Sequence, residues 1–171
     1  GENLIIQKSK NGTGLFWWKV SNCKWIFTYS KLIYKEEYYK RTSFQLHQAC
    51  ENYYYAIRLT FTLRNNKQHN LSKLSSSTKR YAEDLATVFP QDTPEEKRLF
   101  TLLKSAYVEA RYNPYFVVTK EDIDALVPKV ELLRDITKQI CTAKIKEYEE
   151  QGIHNKYCQT KSGTFRPQMF C

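Results

Sequence analysis

The stretch FQLHQACENYYYAIRLTFTLRNNKQHNL, residues 44–71, decides the fold of this chain because it joins a long apolar helix to a short polar segment. Its first part, residues 44–63, contains no Gly or Pro, and its apolar and aromatic residues recur at helical spacing. These residues are Phe44, Leu46, Ala49, Tyr53, Tyr54, Ala56, Ile57 and Phe61. A face of this width predicts a central helix that is buried on several sides.

Three polar residues share the surface of this helix. His47, Gln48 and Glu51 lie three and four residues apart, so their polar ends can meet one another or a neighbouring helix. Two interpretations remain open for them. They either line a small polar pocket or form a buried network in which each group has a hydrogen-bond partner.

The central helix is predicted to end near Arg64, and a second helix is predicted to begin at Asn70, a good N-cap residue. The intervening loop contains Arg64, Lys67 and His69. No acidic residue occurs between Glu51 and Glu83. The basic residues of that interval are Arg58, Arg64, Lys67, Lys73, Lys79 and Arg80. This pattern favours a local positive face for phosphate, and the alternative is a solvated face without a partner.

Composition predicts an all-α protein. The length of 171 residues suits one domain with its own core, and no Gly lies between Gly14 and Gly152, which argues against a fold rich in β-hairpins. Of the formal charge of +9, residues 1–35 carry +5 and residues 152–171 carry +3, which leaves +1 for residues 36–151. The helical body is therefore nearly neutral outside the basic interval.

Three segments of the chain follow from the distribution of periodic residues. Residues 1–22 are expected to form an N-terminal arm, or the remnant of an upstream domain, and they include an aromatic cluster at Phe16 to Trp18. Residues 23–151 are expected to form the bundle, and residues 152–171 a loose C-terminal tail.

Four further helices are predicted within the bundle, two of them before Pro90. The first covers residues 23–39, and the next runs without a break over residues 70–88. A third follows Thr93 and Pro94, a strong start signal, and continues to about Ala110.

The last helix is expected to open at Thr119 and to reach about Glu150. Pro128 lies inside this segment and should kink or restart the helix.

Five cysteines occur without a CxxC pair or a zinc-like Cys/His spacing, so no metal site and no cofactor are expected. Cys50 and Cys141 fit apolar helical patterns and are predicted to be small core residues. The chain shows no signal peptide and no apolar run of membrane-spanning length. A cytoplasmic protein with no membrane association is therefore expected.

Five segments in order, LHQACE, KQHNL, VFPQDTPEEKRLFTLL, AYVEARY and VTKEDIDAL, resemble the HEPN family of prokaryotic helical domains. They are most similar to the branch that is fused to, or encoded beside, minimal nucleotidyltransferases. The resemblance implies an up-and-down bundle of four or five helices (HEPN-like). It also implies a role with nucleotides or RNA beside a nucleotidyltransferase domain or partner, in a toxin–antitoxin or defence-like setting.

The resemblance also implies candidate site residues. Many HEPN members are metal-independent ribonucleases with an Arg followed, after four to six residues, by a His, and Arg64 and His69 match this spacing as the catalytic pair. Lys67 and His69 match a Lys-x-His element of the nucleotidyltransferase-linked branch. Arg111 and Tyr112 match an Ala-Arg-Tyr element, where Arg suits phosphate binding or local pairing at the helix end.

Three functions remain open from the sequence. The leading one is a HEPN module that binds nucleotide or RNA, with Lys67, Arg111, Tyr112, Arg58 and Lys73 as phosphate or ligand contacts. The second is an endoribonuclease, and the third is a dimerisation module without a ligand. A homodimer is expected in each case, because related domains pair and the broad face of the central helix favours a two-fold interface.

Overall fold

Helix α1 (Tyr39–Thr62) runs through the middle of the molecule. The computed structural model describes residues 38–62 and 69–161, with only the backbone described for residues 152–161. The other α-helices are α2 (Leu71–Thr78), α3 (Leu85–Val88), α4 (Pro94–Tyr112) and α5 (Lys120–Lys161), and a 3₁₀ turn, Lys79–Tyr81, follows α2. The described residues contain no strand. The predicted all-α bundle of four to five helices is therefore confirmed.

The core forms around α1, which packs most extensively against α5 and also against α4 and α2. Leu46, Tyr54 and Ile57 of α1 are fully buried, and α5 contributes a stripe at helical spacing. The main residues of that stripe are Ile123, Leu126, Val130, Leu133, Ile136, Cys141 and Ile145. Cys50 and Cys141 are free thiols in this core, as predicted.

Helix α4 begins where the sequence predicts. The Thr93 side chain accepts a hydrogen bond from the Glu96 backbone N–H, and the Glu96 carboxylate accepts one from the Thr93 backbone N–H. This capping box pairs two N–H groups that the helix itself leaves unpaired. Thr119 and Asp122 repeat the arrangement at the start of α5, and Arg98 ties Asp122 to α4 by a further hydrogen bond. These contacts fix α4 against α5.

The prediction of one continuous helix over residues 70–88 is wrong. Helix α2 starts behind the predicted N-cap, Asn70, but it ends at Thr78. Its last turns carry hydroxyl side chains, and those of Ser77 and Thr78 donate to the Leu74 carbonyl. Such bonds offer the backbone groups partners outside the helical ladder, so a serine-rich segment of low helix propensity ends early.

Two other boundaries also differ from the predictions. Helix α5 continues through Pro128 and extends to Lys161, so Pro128 does not restart it and the backbone of residues 152–161 belongs to the helix. Pro in a helix interior costs about 3 kcal/mol, and the stripe buried on both sides of Pro128 offsets that cost. Helix α1 begins at Tyr39 rather than near Phe44. The predicted helix over residues 23–39 and the aromatic cluster at Phe16 to Trp18 lie outside the described residues, apart from Tyr38, which is not helical, and Tyr39, where α1 begins.

No helix in the described part of the chain is both long enough and apolar enough to cross a bilayer.

Candidate functional site

A polar and aromatic cluster lies between α1 and α4, on the side where α2 begins. Helix α1 contributes Phe44, His47 and Glu51, which are three and four residues apart and therefore share one face. Helix α4 contributes Tyr107 and Arg111, again four residues apart, and His69 stands just before the Asn70 cap of α2. Two helices and the residue before the cap of α2 thus supply one group of side chains, which we call the His69 cluster.

The Glu51 carboxylate connects α1 to the start of α2. Its Oε1 atom lies 2.8 Å from Nδ1 of His69, in hydrogen-bond geometry. The Glu51 side chain is 7% exposed, whereas the His69 side chain is 59% exposed. An ionised carboxylate only accepts hydrogen bonds, so Nδ1 of His69 carries the proton. In the neutral ring, Nε2 is then left with a free lone pair.

His47 is the buried histidine of the cluster. Its Nδ1 lies 2.9 Å from the Leu103 carbonyl oxygen, and its Nε2 lies 3.7 Å from Oε2 of Glu51. Burial is the largest influence on this imidazole and lowers its pKa below the ordinary value of 6.5. The Leu103 hydrogen bond and the negative charge of Glu51 act in the opposite direction but do not outweigh it, and the nearby His69 and Arg111 lower the pKa further. His47 is therefore a neutral imidazole at pH 7.

Tyr107 is the aromatic centre of the cluster. Its ring centroid lies 5.3 Å from that of His47 and 5.4 Å from that of His69, with the His69 ring stacked on it. The ring of Phe44 stacks at 6.2 Å, and the guanidinium carbon of Arg111 lies 4.3 Å from the Tyr107 centroid. Tyr107 thus brings an exposed imidazole and a guanidinium to one ring.

The sequence pattern does not single out Tyr107 as a site residue. Its spacing of four residues from Arg111 was the available signal, since residues so placed on a helix are neighbours.

Arg111 lies at the exposed end of the cluster. Its Nε donates to the Tyr107 carbonyl oxygen at 2.7 Å, and its guanidinium also lies 5.2 Å from the Phe44 ring and 5.1 Å from the Tyr112 ring. These contacts fix the side chain while its terminal nitrogens keep N–H donors. Tyr112 is 72% exposed. Arg111 therefore combines a fixed position with donors that suit a planar or phosphate anion.

The other predicted site residues are dispersed. Gln48 lies beside Glu51 on α1, with a buried amide nitrogen that has no hydrogen-bond partner in the described structure. Lys73 is exposed on the first turn of α2, and Arg58 is half-buried farther along α1. Arg64 and Lys67 lie outside the described residues. The structure thus brings His47, Glu51, His69 and Arg111 together, and it does not test the predicted pair of Arg64 with His69.

An open groove of about 510 Å³ lies beyond Arg111, where the beginning of α1 meets the segment between α4 and α5. It is lined by Tyr38, Tyr39, Lys40, Arg41, Ala110, Phe116, Val117 and Val118. None of these residues belongs to the His69 cluster. The groove is therefore a separate concavity, and its two basic residues place additional positive charge at the same end of α1 as Phe44.

Residues 20–140 match the model of the HEPN domain. The chain belongs to the HEPN family. The match covers α1 to α4 and the first half of α5, so it contains every residue of the His69 cluster. The comparison with curated proteins finds no significant match. Membership agrees with the helical bundle and with a module of the kind that works with nucleotides or RNA.

Metal-binding geometry does not occur in the described part of this HEPN domain. No group of three or more His, Cys, Asp or Glu side chains there could hold a metal ion. The Glu51 carboxylate instead uses one oxygen for His69.

The burial of His47 predicts a pH dependence of stability. Since the pKa of His47 is lowered in the folded protein, the unfolded chain binds a proton at higher pH than the folded protein does. The stability that neutral His47 provides is present above about pH 6.5 and is lost as the pH falls through its folded-state pKa. Urea unfolding should show a smaller loss of stability between about pH 7.5 and about pH 5.5 in His47→Phe than in the unmodified protein. Equal losses in the two proteins would contradict this assignment.

Proposed function

We propose that this HEPN domain binds the phosphate of a nucleotide or an RNA strand at the His69 cluster. One observation carries the proposal: the buried Glu51 carboxylate holds the exposed His69 beside Tyr107, and the Arg111 guanidinium lies against the same ring. The fixed guanidinium suits a phosphate anion, the aromatic surface suits a planar base, and the Nε2 lone pair of His69 can accept a hydrogen bond from a ribose hydroxyl.

The surroundings of the cluster support an anionic ligand. His69 directly precedes the N-terminus of α2, where unpaired backbone N–H groups and the helix dipole favour negative charge. Lys73 is exposed on the first turn of that helix. The exposed ring of Tyr112 next to Arg111 suits stacking with a base. We include Arg64, Lys67 and Arg58 as further phosphate contacts, because they belong to the same acid-free interval.

Substitution of Arg111 tests phosphate binding. Hydrogen bonds to charged groups contribute about 1.5–3 kcal/mol, so Arg111→Gln should weaken binding of a fluorescently labelled single-stranded RNA by roughly 10- to 100-fold. The slope of log affinity against log salt should also become shallower by about 1. The control is Lys97→Gln, which removes one positive charge from the exposed first turn of the same helix. Equal effects of the two substitutions, or none, would contradict a site at Arg111.

A second candidate function is metal-independent RNA cleavage, and the hydrogen bond between Glu51 and His69 favours it. That bond leaves the lone pair of His69 Nε2 available as a general base. In the proposed step, Nε2 takes the proton of a ribose 2′-hydroxyl, and the 2′ oxygen attacks the adjacent phosphorus. The bond to the 5′ oxygen breaks, and that oxygen takes up a proton from water. The products are a 2′,3′-cyclic phosphate and a 5′-hydroxyl, and Arg64 or Arg111 would stabilise the charge on phosphorus.

His69→Gln separates cleavage from binding. We expect it to abolish cleavage of single-stranded RNA while affinity for the same RNA stays within a few-fold. Glu51→Gln should lower kcat more than it raises KM, since the carboxylate orients the base and need not touch the substrate. Cleavage assays with and without EDTA check both variants. If the unmodified protein cleaves none of a broad panel of RNAs, this candidate fails and the binding function stands alone.

We also propose that the module works as a homodimer beside a nucleotidyltransferase domain or partner in the cytoplasm, in a toxin–antitoxin or defence-like system. Exposed apolar residues next to Arg111, namely Val108, Tyr112, Tyr115 and Val117, offer a surface for pairing. Light scattering at concentrations on the order of 10 µM should give twice the mass of the chain. Co-expression with an adjacent nucleotidyltransferase should give a heteromeric complex. A monomer in both preparations would contradict the assembly.

A further inference from the structure

The Glu51 carboxylate stands between two imidazoles that it contacts differently. Its Oε1 accepts a hydrogen bond from His69, at 2.8 Å. Its Oε2 faces Nε2 of His47 at 3.7 Å, a distance too long for a hydrogen bond. Both facing atoms are buried, and neither has a hydrogen-bond partner among the described residues. Buried polar atoms without partners are costly and need an explanation.

The position of the single ring proton of His47 provides that explanation. A backbone carbonyl can only accept, so the hydrogen bond to Leu103 places the ring proton of His47 on Nδ1. In the neutral ring, Nε2 then presents a lone pair to a carboxylate oxygen. Two acceptors face each other without a proton between them, which accounts for the 3.7 Å separation.

We propose that His47 is a positioning residue for the exposed imidazole of His69. By presenting an unprotonated nitrogen to Oε2, His47 withholds a competing donor from the buried carboxylate. Within the described structure, His69 is then the one hydrogen-bond donor to Glu51. The carboxylate therefore fixes the ring orientation of His69 and keeps its proton on Nδ1. The role of His69 toward a nucleotide or RNA rests on the proposed function. The hydrogen-bond arrangement of His47, Glu51 and His69 does not.

The groups that face His47 are consistent with this role. Glu51 is on its own helix, Leu103 and Tyr107 face it from α4, His69 approaches from the start of α2, and the charge of Arg111 reaches it from the end of α4. Burial, the nearby His69 and the charge of Arg111 disfavour a proton on Nε2, and these influences outweigh the attraction of Glu51. The pKa of His47 is lowered accordingly, so the lone pair persists at pH 7.

Nitrogen-15 NMR of the imidazole rings can test the proposal without any added ligand. The chain has three histidines, and His154→Gln identifies the third set of signals. In the unmodified protein at pH 7, both His47 and His69 should carry their ring proton on Nδ1. The readout is the ratio of the Nδ1–H to the Nε2–H tautomer of His69, which packing alone does not determine.

Two substitutions of His47 should act differently. His47→Gln places an amide N–H where it can donate to Oε2, so it should lower the tautomer ratio of His69 by about fivefold, the factor that corresponds to one ordinary hydrogen bond. His47→Phe keeps a ring beside Tyr107 but supplies no donor, so the ratio should stay close to that of the unmodified protein. Circular dichroism and thermal melting establish that each variant is folded.

Several outcomes would overturn the proposal. Equal tautomer ratios in His47→Gln and the unmodified protein would show that His47 does not act through Glu51. Equal decreases of the His69 tautomer ratio in the Gln and Phe variants would indicate that His47 has only a packing role. If neither variant folds, the His47 signals of the unmodified protein decide, because a proton on Nε2 at pH 7 contradicts the proposal. Absence of RNA binding would leave these tautomer ratios unchanged. Failure of the proposed function is therefore distinguishable from failure of the positioning role of His47.

Discussion

Burial of helix α1 on several sides is the constraint on which the rest of the structure depends. Helices α2, α4 and α5 all pack against it, and residues such as Leu46 and Ile57 lose all contact with water. Burial of each aliphatic side chain of this size stabilises the fold by about 1.5–3 kcal/mol. The central position of the helix is therefore strongly favoured. The same placement removes water from its polar residues, which must then find partners inside the protein.

The clearest consequence is at Glu51. A carboxylate in this position has lost its hydration and gains a hydrogen-bond partner when His69 approaches from the start of α2. The interaction therefore joins two helices and also determines which nitrogen of the exposed imidazole is free. The structural and chemical roles of this interaction coincide because the buried charge of Glu51 requires a hydrogen-bond donor. The donor in the described structure is His69, a residue type that can also exchange protons with a ligand.

Helix α4 adds the part of the site that is hardest to anticipate. Tyr107 belongs to a segment of ordinary helical pattern, and its importance arises from what surrounds it: two imidazoles, the Phe44 ring and the Arg111 guanidinium. Phe44 and His47 come from α1, and His69 comes from the segment just before α2. Neighbours contributed by other helices leave no periodic signal in α4, whereas the spacing of Tyr107 and Arg111 within α4 does.

The sequence by itself determined the helical class, the central position of α1, the N-caps Asn70, Thr93 and Thr119 and the core cysteines, because these follow from periodicity and local hydrogen bonding. It also placed His47 and Glu51 on one face. It did not determine where the serine-rich helix ends or whether Pro128 interrupts α5, since those depend on local competition for backbone groups and on packing across Pro128. Only the tertiary structure decided that Glu51 holds His69 and that Arg111 joins them at Tyr107. These contacts join separate segments of the chain, and their geometry follows from how the helices pack.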